Sequence, residues 1–265
     1  MIRFKTPDEI GKMRRAGRAL ASVYAGIMEM VKPGTVTAEL DRRIEDAIHS
    51  EGATPAFKGY KGSGGKPFPA SACISIDEEV VHGIPSERRL QEGQIVGIDI
   101  GLSLDGWFAD MAASFLVGNG DENKQRLHRI TREALYRGIA QAHAGRSIMD
   151  IGGAVQDWVE QHGCYVIREL VGHGVGAQLH EEPAVPNYRS AANNVLLRPG
   201  MTLAIEPMVA TGTWRVKTLS DGWTAVTMDG SPAGHFEHTV LVTDGEPEIL
   251  TLLPDNSDPW EKINA

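Results

Sequence analysis

The order of secondary-structure signals in this chain occurs twice, and this repetition constrains the fold more than any other feature of the sequence. Each half is typical of two helices followed by a run of strands. One helix in each half lies between two glycines spaced by 18 residues, Gly34 to Gly52 and Gly145 to Gly163. Because the helices are grouped apart from the strands, the pattern favours an α+β fold with an antiparallel sheet.

A second pair of anchors connects the repeat with acidic residues. Gly93 precedes Asp99 by six residues, and Gly200 precedes Glu206 by six, each within an apolar stretch typical of a strand. We therefore interpret the chain as an internal duplication. The prediction is a single domain over 1–265, made of pseudo-symmetric halves at about 1–120 and 121–265.

The helix boundaries follow from local signals. Thr6 is a candidate N-cap, Pro7 suits the first helical position, and Glu9 completes a capping box. Further helices are predicted to begin near residues 37, 121 and 147. Residues 53–72 have the composition of a loop, and strands are predicted within 73–116, around a turn at Asp105-Gly106, and within 164–253.

Composition excludes several classes of protein. The net charge of −9 argues against nucleic-acid binding through a basic face. The only cysteines, Cys73 and Cys164, cannot form a disulfide framework, and their number is typical of a reducing cytosol. The sequence has no signal-peptide pattern and no apolar run long enough for a membrane span. We expect a cytoplasmic protein with no membrane or nucleic-acid partner.

Four acidic residues occur in strand-like segments with one apolar face. Val96, Ile98 and Ile100 share one face of their predicted strand, and Asp99 lies on the other. Asp110, Glu206 and Glu237 have similar settings. Any one of them could simply face solvent, as polar residues of antiparallel sheets usually do. Gathered in one place, however, they would repel each other, and divalent cations are the natural compensators.

His173 lies in the string Val-Gly-His-Gly-Val-Gly, where the glycines would let the backbone bring an imidazole close to a metal or substrate. One histidine with several carboxylates is an oxygen-rich ligand set that favours Mn, Fe or Co. The alternative is an ordinary core or surface histidine, and the glycines alone do not exclude it.

Several short strings, taken in order, resemble the type I methionine aminopeptidases. The similarity is collinear over nearly the whole chain, and Asp110 follows Asp99 by eleven positions. The resemblance implies the pita-bread α+β fold, a pseudo-twofold duplication with a curved antiparallel sheet. The strings are Val81-His82-Gly83-Ile84-Pro85, Ile98-Asp99-Ile100-Gly101, Asp105-Gly106-Trp107-Phe108-Ala109-Asp110, Gly172-His173-Gly174-Val175-Gly176, His180-Glu181-Glu182-Pro183, Ile205-Glu206-Pro207 and Phe236-Glu237-His238-Thr239.

The resemblance also implies the site residues. Two divalent ions, of Co, Mn, Fe, Ni or Zn, would be held by Asp99, Asp110, His173, Glu206 and Glu237. Asp110 and Glu237 would bridge the ions, Asp99 would bind one of them, and His173 with Glu206 would complete the other. Glu206 would also handle the proton of the attacking water.

Two further histidines gain a role only from the resemblance. His82 and His180 are similar to the family histidines that contact the substrate and stabilise the transition state. The residues alone do not distinguish them from His143 or His162.

By their position among the strings, five residues resemble the lining of the methionine pocket: Phe57, Tyr60, Phe68, Cys73 and Trp223. For each of them, plain core packing is the alternative. Three features depart from the family pattern. The loop over 61–67 is longer than usual, which affects the position of Phe68. Met111 replaces a small or hydroxyl residue, and Leu179 replaces an aromatic one.

The implied activity is removal of the N-terminal methionine from nascent proteins and peptides with a small second residue. The partners would be peptide N-termini, with the ribosome as a candidate, and the protein would be a monomer. Two alternatives stay open. One is another pita-bread enzyme such as an Xaa-Pro aminopeptidase, and the other is a binding homologue without catalysis.

Overall fold

Four α-helices form within the part of the chain that the structure, a computed structural model, describes: residues 2–62, 65–191 and 194–260. The hydroxyl of Thr6 accepts the amide hydrogen of Glu9, and the Glu9 carboxylate accepts that of Thr6. The predicted capping box is therefore confirmed. The helices are α1 Pro7–Ile27, α2 Thr37–Ser50, α3 Glu122–Ile139 and α4 Ile148–Gln161, with a 3₁₀ turn at Met28–Met30 after α1.

The strands are mostly short, and the paired ones run antiparallel throughout the described residues. They are β1 Thr54–Pro55, β2 Ala72–Ile76, β3 Glu79–Val81, β4 Ile95–Leu104, β5 Trp107–Leu116, β6 Tyr165–Val166, β7 Gly172–Gly174, β8 Glu181–Val185, β9 Thr202–Ile205, β10 Met208–Ala210, β11 Val216–Thr218, β12 Ala225–Thr227, β13 Ala233–His235, β14 His238–Leu241 and β15 Glu248–Ile249. The α+β prediction is confirmed. The prediction of a plain loop over 53–72 is wrong at β1, which pairs with the end of β4.

Two sheets carry the residues of interest. In the first, β1 and β2 pair with one edge of β4, and β5 pairs with the other edge. The second has five strands in the order β15-β14-β9-β7-β8. Two three-stranded sheets, β13-β10-β6 and β11-β12-β3, complete the arrangement of described strands.

The hairpin of β4 and β5 sets the relative positions of two aspartates. Its turn is the pair Asp105 and Gly106, with φ of 52° and 77°. Positive φ at both central residues is the signature of the type I′ turn that suits a two-residue hairpin. This register places Asp99 opposite Ala112 and Asp110 opposite Gly101. Both carboxylates therefore leave the same face of the sheet, as the strand alternation predicted.

The first pair of repeated glycines has equivalent backbone environments. Gly34 and Gly145 both lie in the left-handed region, with φ of 90° and 86°. Gly34 donates its amide hydrogen to the carbonyl of Leu90, and Gly145 donates to that of Leu197. Gly34 and Gly145 therefore have the same backbone conformation and the same type of hydrogen bond at equivalent positions of the two halves.

The second pair behaves in the same way. Gly93 and Gly200 have φ of 82° and 87°. Gly93 donates to the carbonyl of Val117 and Gly200 to that of Val242. These repeated bonds support the duplicated construction, while the division of the chain at about residue 120 stays a prediction.

The helices of the first half cover the apolar face of β4 and β5. Val96, Ile98 and Ile100 are fully buried there. The hydroxyl of Tyr24, on α1, donates to the carbonyl of Ile98 at 2.5 Å and accepts the amide hydrogen of Ala113 at 2.8 Å. The acidic face is consequently turned away from the helices. Among the described residues, no helix combines the length and apolar character required to cross a bilayer.

Candidate metal centre

A cavity of about 600 Å³ collects every side chain that the sequence assigned to the site. The residues brought together are Phe57, Tyr60, Phe68, Cys73, His82, Asp99, Asp110, His173, His180, Glu206, Trp223 and Glu237. They come from positions spread over 180 residues of the chain, so only the tertiary structure unites them.

Asp110 and Glu237 meet because β5 is joined to the segment between β13 and β14. Ala112 and Glu237 form an antiparallel bridge, in which the Glu237 amide donates at 2.8 Å. Beside it, the hydroxyl of Thr239 accepts the amide hydrogen of Asp110 at 3.0 Å and donates to its carbonyl at 2.9 Å. These contacts connect the first sheet directly with the five-stranded one.

Two of the acids lie at breaks between strands, which corrects the prediction that each acid sits within one. Glu206 follows the end of β9, because Pro207 has no amide hydrogen with which to extend the ladder. Glu237 lies between β13 and β14, since its backbone pairs with Ala112 of β5 while His238 pairs with Ile205 of β9.

The imidazole of His173 is oriented toward the acids. Its Nδ1 lies 2.9 Å from the carbonyl oxygen of Gly174, which can only accept, so Nδ1 carries the hydrogen. Its Nε2 lies 3.6 Å from Oε1 of Glu206 and 3.9 Å from Oδ2 of Asp110. Burial lowers the pKa of His173 to about 3, so these contacts are not ion pairs at neutral pH. Nε2 instead presents a lone pair, as a metal ligand does.

The carboxylates are strongly disfavoured as free anions. Burial raises the pKa of Asp99 to about 7 and that of Glu206 to about 8. Burial and the charges of the neighbouring acids raise the pKa of Asp110 and Glu237 well above the ordinary carboxyl range. Clustered acids of this kind are stabilised in their ionised form by a cation between them.

The donor atoms are also close enough to share a cation. One atom from each of Asp110, His173 and Glu237 lies within 4.8 Å of the others, and the same holds for Glu206, His235 and Glu237. Among the described residues, Oδ1 of Asp99 and Oε1 of Glu237 are buried without a hydrogen-bond partner. Hard oxygen donors, one neutral imidazole and orphaned buried oxygens fit divalent metal ions of the first transition row.

His82 and His180 lie at the same cavity. The ring of His180 is 4.3 Å from that of His173 and 5.0 Å from that of Tyr60, centroid to centroid. The backbone of His82 is left-handed, with φ of 59°, and its ring lies edge-on to Trp223. Burial lowers the pKa of His82 to about 4 and also lowers that of His180. Both rings are therefore neutral at pH 7 and each carries one N–H to donate.

The other histidines that the residues alone could not set apart are elsewhere. His143 bonds to the carbonyl of Ala144, and the ring of His162 lies tilted against that of Trp158, with centroids 3.9 Å apart. Neither lines the cavity. The family resemblance separated His82 and His180, which line the cavity, from His143 and His162, which do not. Strand and helix patterns could not make this distinction.

One side of the cavity is apolar. Phe57, Phe68, Cys73 and Leu179 are buried in one cluster, and Trp223 packs against it from a less buried position. The same side chains line the cavity, so they belong to the hydrophobic core and also form the apolar wall of the cavity. Tyr60 is the exception, because 37% of it stays exposed.

The longer loop leaves Phe68 in place. The Phe68 amide donates to the carbonyl of Tyr60, and the Gly59 amide donates to the carbonyl of Phe68, each at 2.8 Å. The ends of the loop are thus held together, with a further bridge between Lys61 and Pro67. Residues 63–64 of the predicted 61–67 insertion lie outside the described residues.

The other two departures have different consequences. The side chain of Met111 is fully buried in the main core, and only its amide reaches Asp110, at 3.1 Å from Oδ1. Any non-proline residue could supply that bond, so the methionine side chain itself does not hold the Asp110 carboxylate. Leu179 does line the cavity, next to His180.

Sequence reasoning assigned no role to His235. The structure puts Nε2 of His235 at 3.4 Å from Oε2 of Glu206 and 3.9 Å from Oε2 of Glu237. The two-residue spacing from Glu237 was the available signal, because alternate residues of an extended segment share a face.

Comparison with known proteins agrees with this geometry. The family model described as metallopeptidase family M24 matches residues 11–244. A methionine aminopeptidase of Clostridium perfringens is 46% identical over 253 residues, covering 96% of this chain and 100% of the relative. The crystal structure of the methionine aminopeptidase from Thermotoga maritima has a TM-score of 0.90 and 44% identity, covering 95% of this chain and 99% of that one.

A prolidase from Pyrococcus furiosus shares the fold, with a TM-score of 0.76 at 23% identity. Its similarity covers 94% of this chain and 65% of the prolidase, and at this identity it bears on the fold alone. With the predicted pita-bread fold and the full-length similarity both confirmed, the chain belongs to metallopeptidase family M24 and, within it, to the methionine aminopeptidases.

Proposed function

We propose that this protein hydrolyses the peptide bond after an N-terminal methionine, using two divalent metal ions held in the described cavity. The observation that carries the proposal is the convergence of Asp110, His173, Glu206 and Glu237 on one buried point, in a chain of this family. Asp99 leaves the same sheet face as Asp110 and would complete the ligand set.

The positions of the side chains in the cavity suggest which residues would bind each ion. Glu237 belongs to both groups of converging donor atoms, and together with Asp110 it would bridge two ions. Asp99 would bind one of them, while His173 and Glu206, with Nε2 and Oε1 3.6 Å apart, would complete the other. Ions bound there would lower the pKa of a coordinated water toward neutrality and polarise the scissile carbonyl.

The residues of the chain would then manage the proton and the charge. Glu206 would accept the proton of the attacking water and deliver it to the leaving amine, a role that needs a carboxylate within hydrogen-bond reach of both. His180 and His82 are neutral, and one of them would donate its N–H to the carbonyl oxygen as negative charge develops there.

Selectivity would come from the apolar wall. Phe57, Phe68, Cys73 and Trp223 surround a space suited to an unbranched thioether, and Tyr60 would cover it from the rim. Sulfur and aromatic rings attract each other, which favours methionine over an aliphatic side chain of similar length. We also propose a preference for a small second residue, since His82 and His180 would flank its position.

The wider setting belongs to the same proposal. The substrates would be N-termini of peptides and nascent proteins, which makes the ribosome a candidate partner, and the enzyme would act as a cytoplasmic monomer. The metal would be one of Co, Mn, Fe, Ni or Zn, the ions suited to mixed oxygen and imidazole ligands.

The test is release of methionine from a Met-Ala-Ser peptide by chelated protein to which each of these metals is added back. Leu-Ala-Ser and Met-Leu-Ser peptides are the matched controls, and a Leu-Pro-Ser peptide tests for cleavage before proline. Metal-dependent release from Met-Ala-Ser, with much slower reaction of both controls, is the expected result. Preferential cleavage before proline would favour the Xaa-Pro aminopeptidase alternative. Absence of release from folded, metal-loaded protein would favour a binding homologue.

A further inference from the structure

His235 is a buried imidazole beside the candidate ligands, and neither the fold nor the ligand assignment uses it. We infer that His235 is a positioning residue: its Nε2–H donates to Oε2 of Glu206 and holds that carboxylate with its other oxygen toward His173 and the cavity. This inference rests on the proposed function and assigns a support for one of its residues.

The two oxygens of Glu206 face different imidazoles. Nε2 of His173 lies 3.6 Å from Oε1, and Nε2 of His235 lies 3.4 Å from Oε2. Only His173 lines the cavity, so His235 approaches Glu206 from the protein side. A carboxylate held from behind in this way keeps one oxygen free for the metal and the water.

Nε2 of His235 is a buried group that calls for a partner. It is buried without a hydrogen bond within the described residues, and the residue as a whole is 3% exposed. A buried polar group without a partner destabilises the folded state. The acceptors that it faces are the carboxylates of Glu206 and Glu237, at 3.4 and 3.9 Å, and the oxygen of Glu206 is the nearer of the two.

The backbone of His235 is fixed, which makes the imidazole a precise support. The His235 amide donates to the hydroxyl of Ser114 at 2.9 Å, and that hydroxyl donates to the His235 carbonyl at 3.0 Å. His235 therefore moves with β5, the strand that carries Asp110. Supports of this kind typically change metal affinity or activity by 10–100-fold when removed, a range of about one to two decades.

The experiment compares His235→Leu with His235→Gln. Leucine removes the donor, whereas glutamine keeps an N–H that can reach Glu206. The readouts are the Co²⁺ dissociation constant by competition with a chelator, the number of imidazole ligands per Co²⁺ by X-ray absorption, and kcat on Met-Ala-Ser. We expect His235→Leu to weaken Co²⁺ binding and lower kcat by roughly 10–100-fold, with the imidazole count unchanged. His235→Gln should recover most of both losses.

Two outcomes would overturn the inference. A leucine variant with wild-type Co²⁺ affinity and kcat would show that Glu206 needs no such support. A drop in the imidazole count would show that His235 is a ligand itself.

His128→Leu, which removes a half-buried imidazole from α3, is the control for packing loss. If His235→Leu does not fold, His235→Asn should show the same weakening, because its shorter amide cannot reach Glu206. Wild-type protein that neither binds metal nor cleaves the peptide would instead refute the proposed function.

Discussion

The hydroxyl of Thr239 satisfies both backbone groups of Asp110, accepting the amide hydrogen at 3.0 Å and donating to the carbonyl at 2.9 Å. Both residues are buried. The position of the Asp110 carboxylate is therefore set from the neighbouring sheet as well as from its own hairpin. Asp110, a candidate metal ligand, is thus held in place by Thr239, which is not a candidate ligand.

Replacing Thr239 with valine should destabilise the protein and weaken its metal site. Valine has nearly the same shape but leaves the amide and carbonyl of Asp110 buried and unpaired, which costs about 1–3 kcal/mol per group. The free energy of unfolding in urea and the Co²⁺ dissociation constant measure the two effects. Thr239→Ser keeps the hydroxyl and is the matched control. Equal stability of the valine variant and wild type would refute the structural role of the hydroxyl.

Replacing Glu237 with glutamine should remove most of the bound metal. The amide supplies one neutral oxygen where a bridging carboxylate supplies two charged ones, so turnover should fall by at least about 100-fold, the upper end of what a supporting residue costs. Metal content after dialysis and kcat on Met-Ala-Ser provide the measurements. Glu169→Gln, at an exposed acid outside the cavity, is the control. Unchanged activity of Glu237→Gln would refute its assigned role.

Replacing His180 with alanine should slow the reaction and leave the metal content unchanged. His180 lies next to His173 but outside the candidate ligand clusters, so it would act on the substrate oxygen. Loss of one donor to a developing oxyanion lowers kcat by about 10²–10³-fold. His143→Ala removes a histidine away from the cavity and should have little effect. A loss of metal from the His180 variant would mean that its role is misassigned.

The acidic hairpin could be predicted because its determinants are local. The pair Asp105-Gly106 specifies a two-residue turn, and strand alternation then places Asp99 and Asp110 on one face. The capping box at Thr6 and the glycines of the repeat are local signals as well. Each of them involves residues close in the chain, so the sequence alone contains the geometry.

Contacts between distant segments could not be predicted in the same way. The break at Glu237 exists because this residue pairs with Ala112, 125 positions earlier, and nothing near Glu237 in the chain specifies that partner. The support from His235 depends on the same junction. His82 and His180 were singled out by the family resemblance, since no local pattern separates a histidine that lines the cavity from a packed one.

Removing the metal should reverse the ordinary pH dependence of a carboxylate site. Burial raises the pKa of Asp99 to about 7 and of Glu206 to about 8, from ordinary values of 3.8 and 4.5. Between about pH 7 and pH 8, above the range in which the histidines of the unfolded chain release their protons, the folded chelated protein holds protons on these acids that the unfolded chain has released, so its stability falls as pH rises. Metal ions bind the ionised acids, so the stabilisation they confer should grow over the same window.

Thermal unfolding at pH 7 and pH 8, with chelator and with added Mn²⁺ or Co²⁺, tests this dependence. The variant Asp99→Asn with Glu206→Gln is the control, and the slope of its chelated form should be smaller. Chelated wild-type protein that is more stable at pH 8 than at pH 7 would contradict the prediction.

The last prediction concerns Lys5, whose ammonium group lies 2.8 Å from Oε2 of Glu181, directly after His180. The two side chains are only 2% and 11% exposed, and Oε1 of Glu181 also accepts the amide hydrogen of Gln178. Lys5→Met would leave a buried carboxylate without its cation, which should cost about 3 kcal/mol of unfolding free energy, near the low end for a broken buried pair. Adding Glu181→Gln to Lys5→Met should recover part of the loss, because the uncompensated charge is then gone. Urea unfolding of both single variants and the double variant measures the coupling, and a single-variant cost below about 1 kcal/mol would mean that the pair behaves like an exposed one.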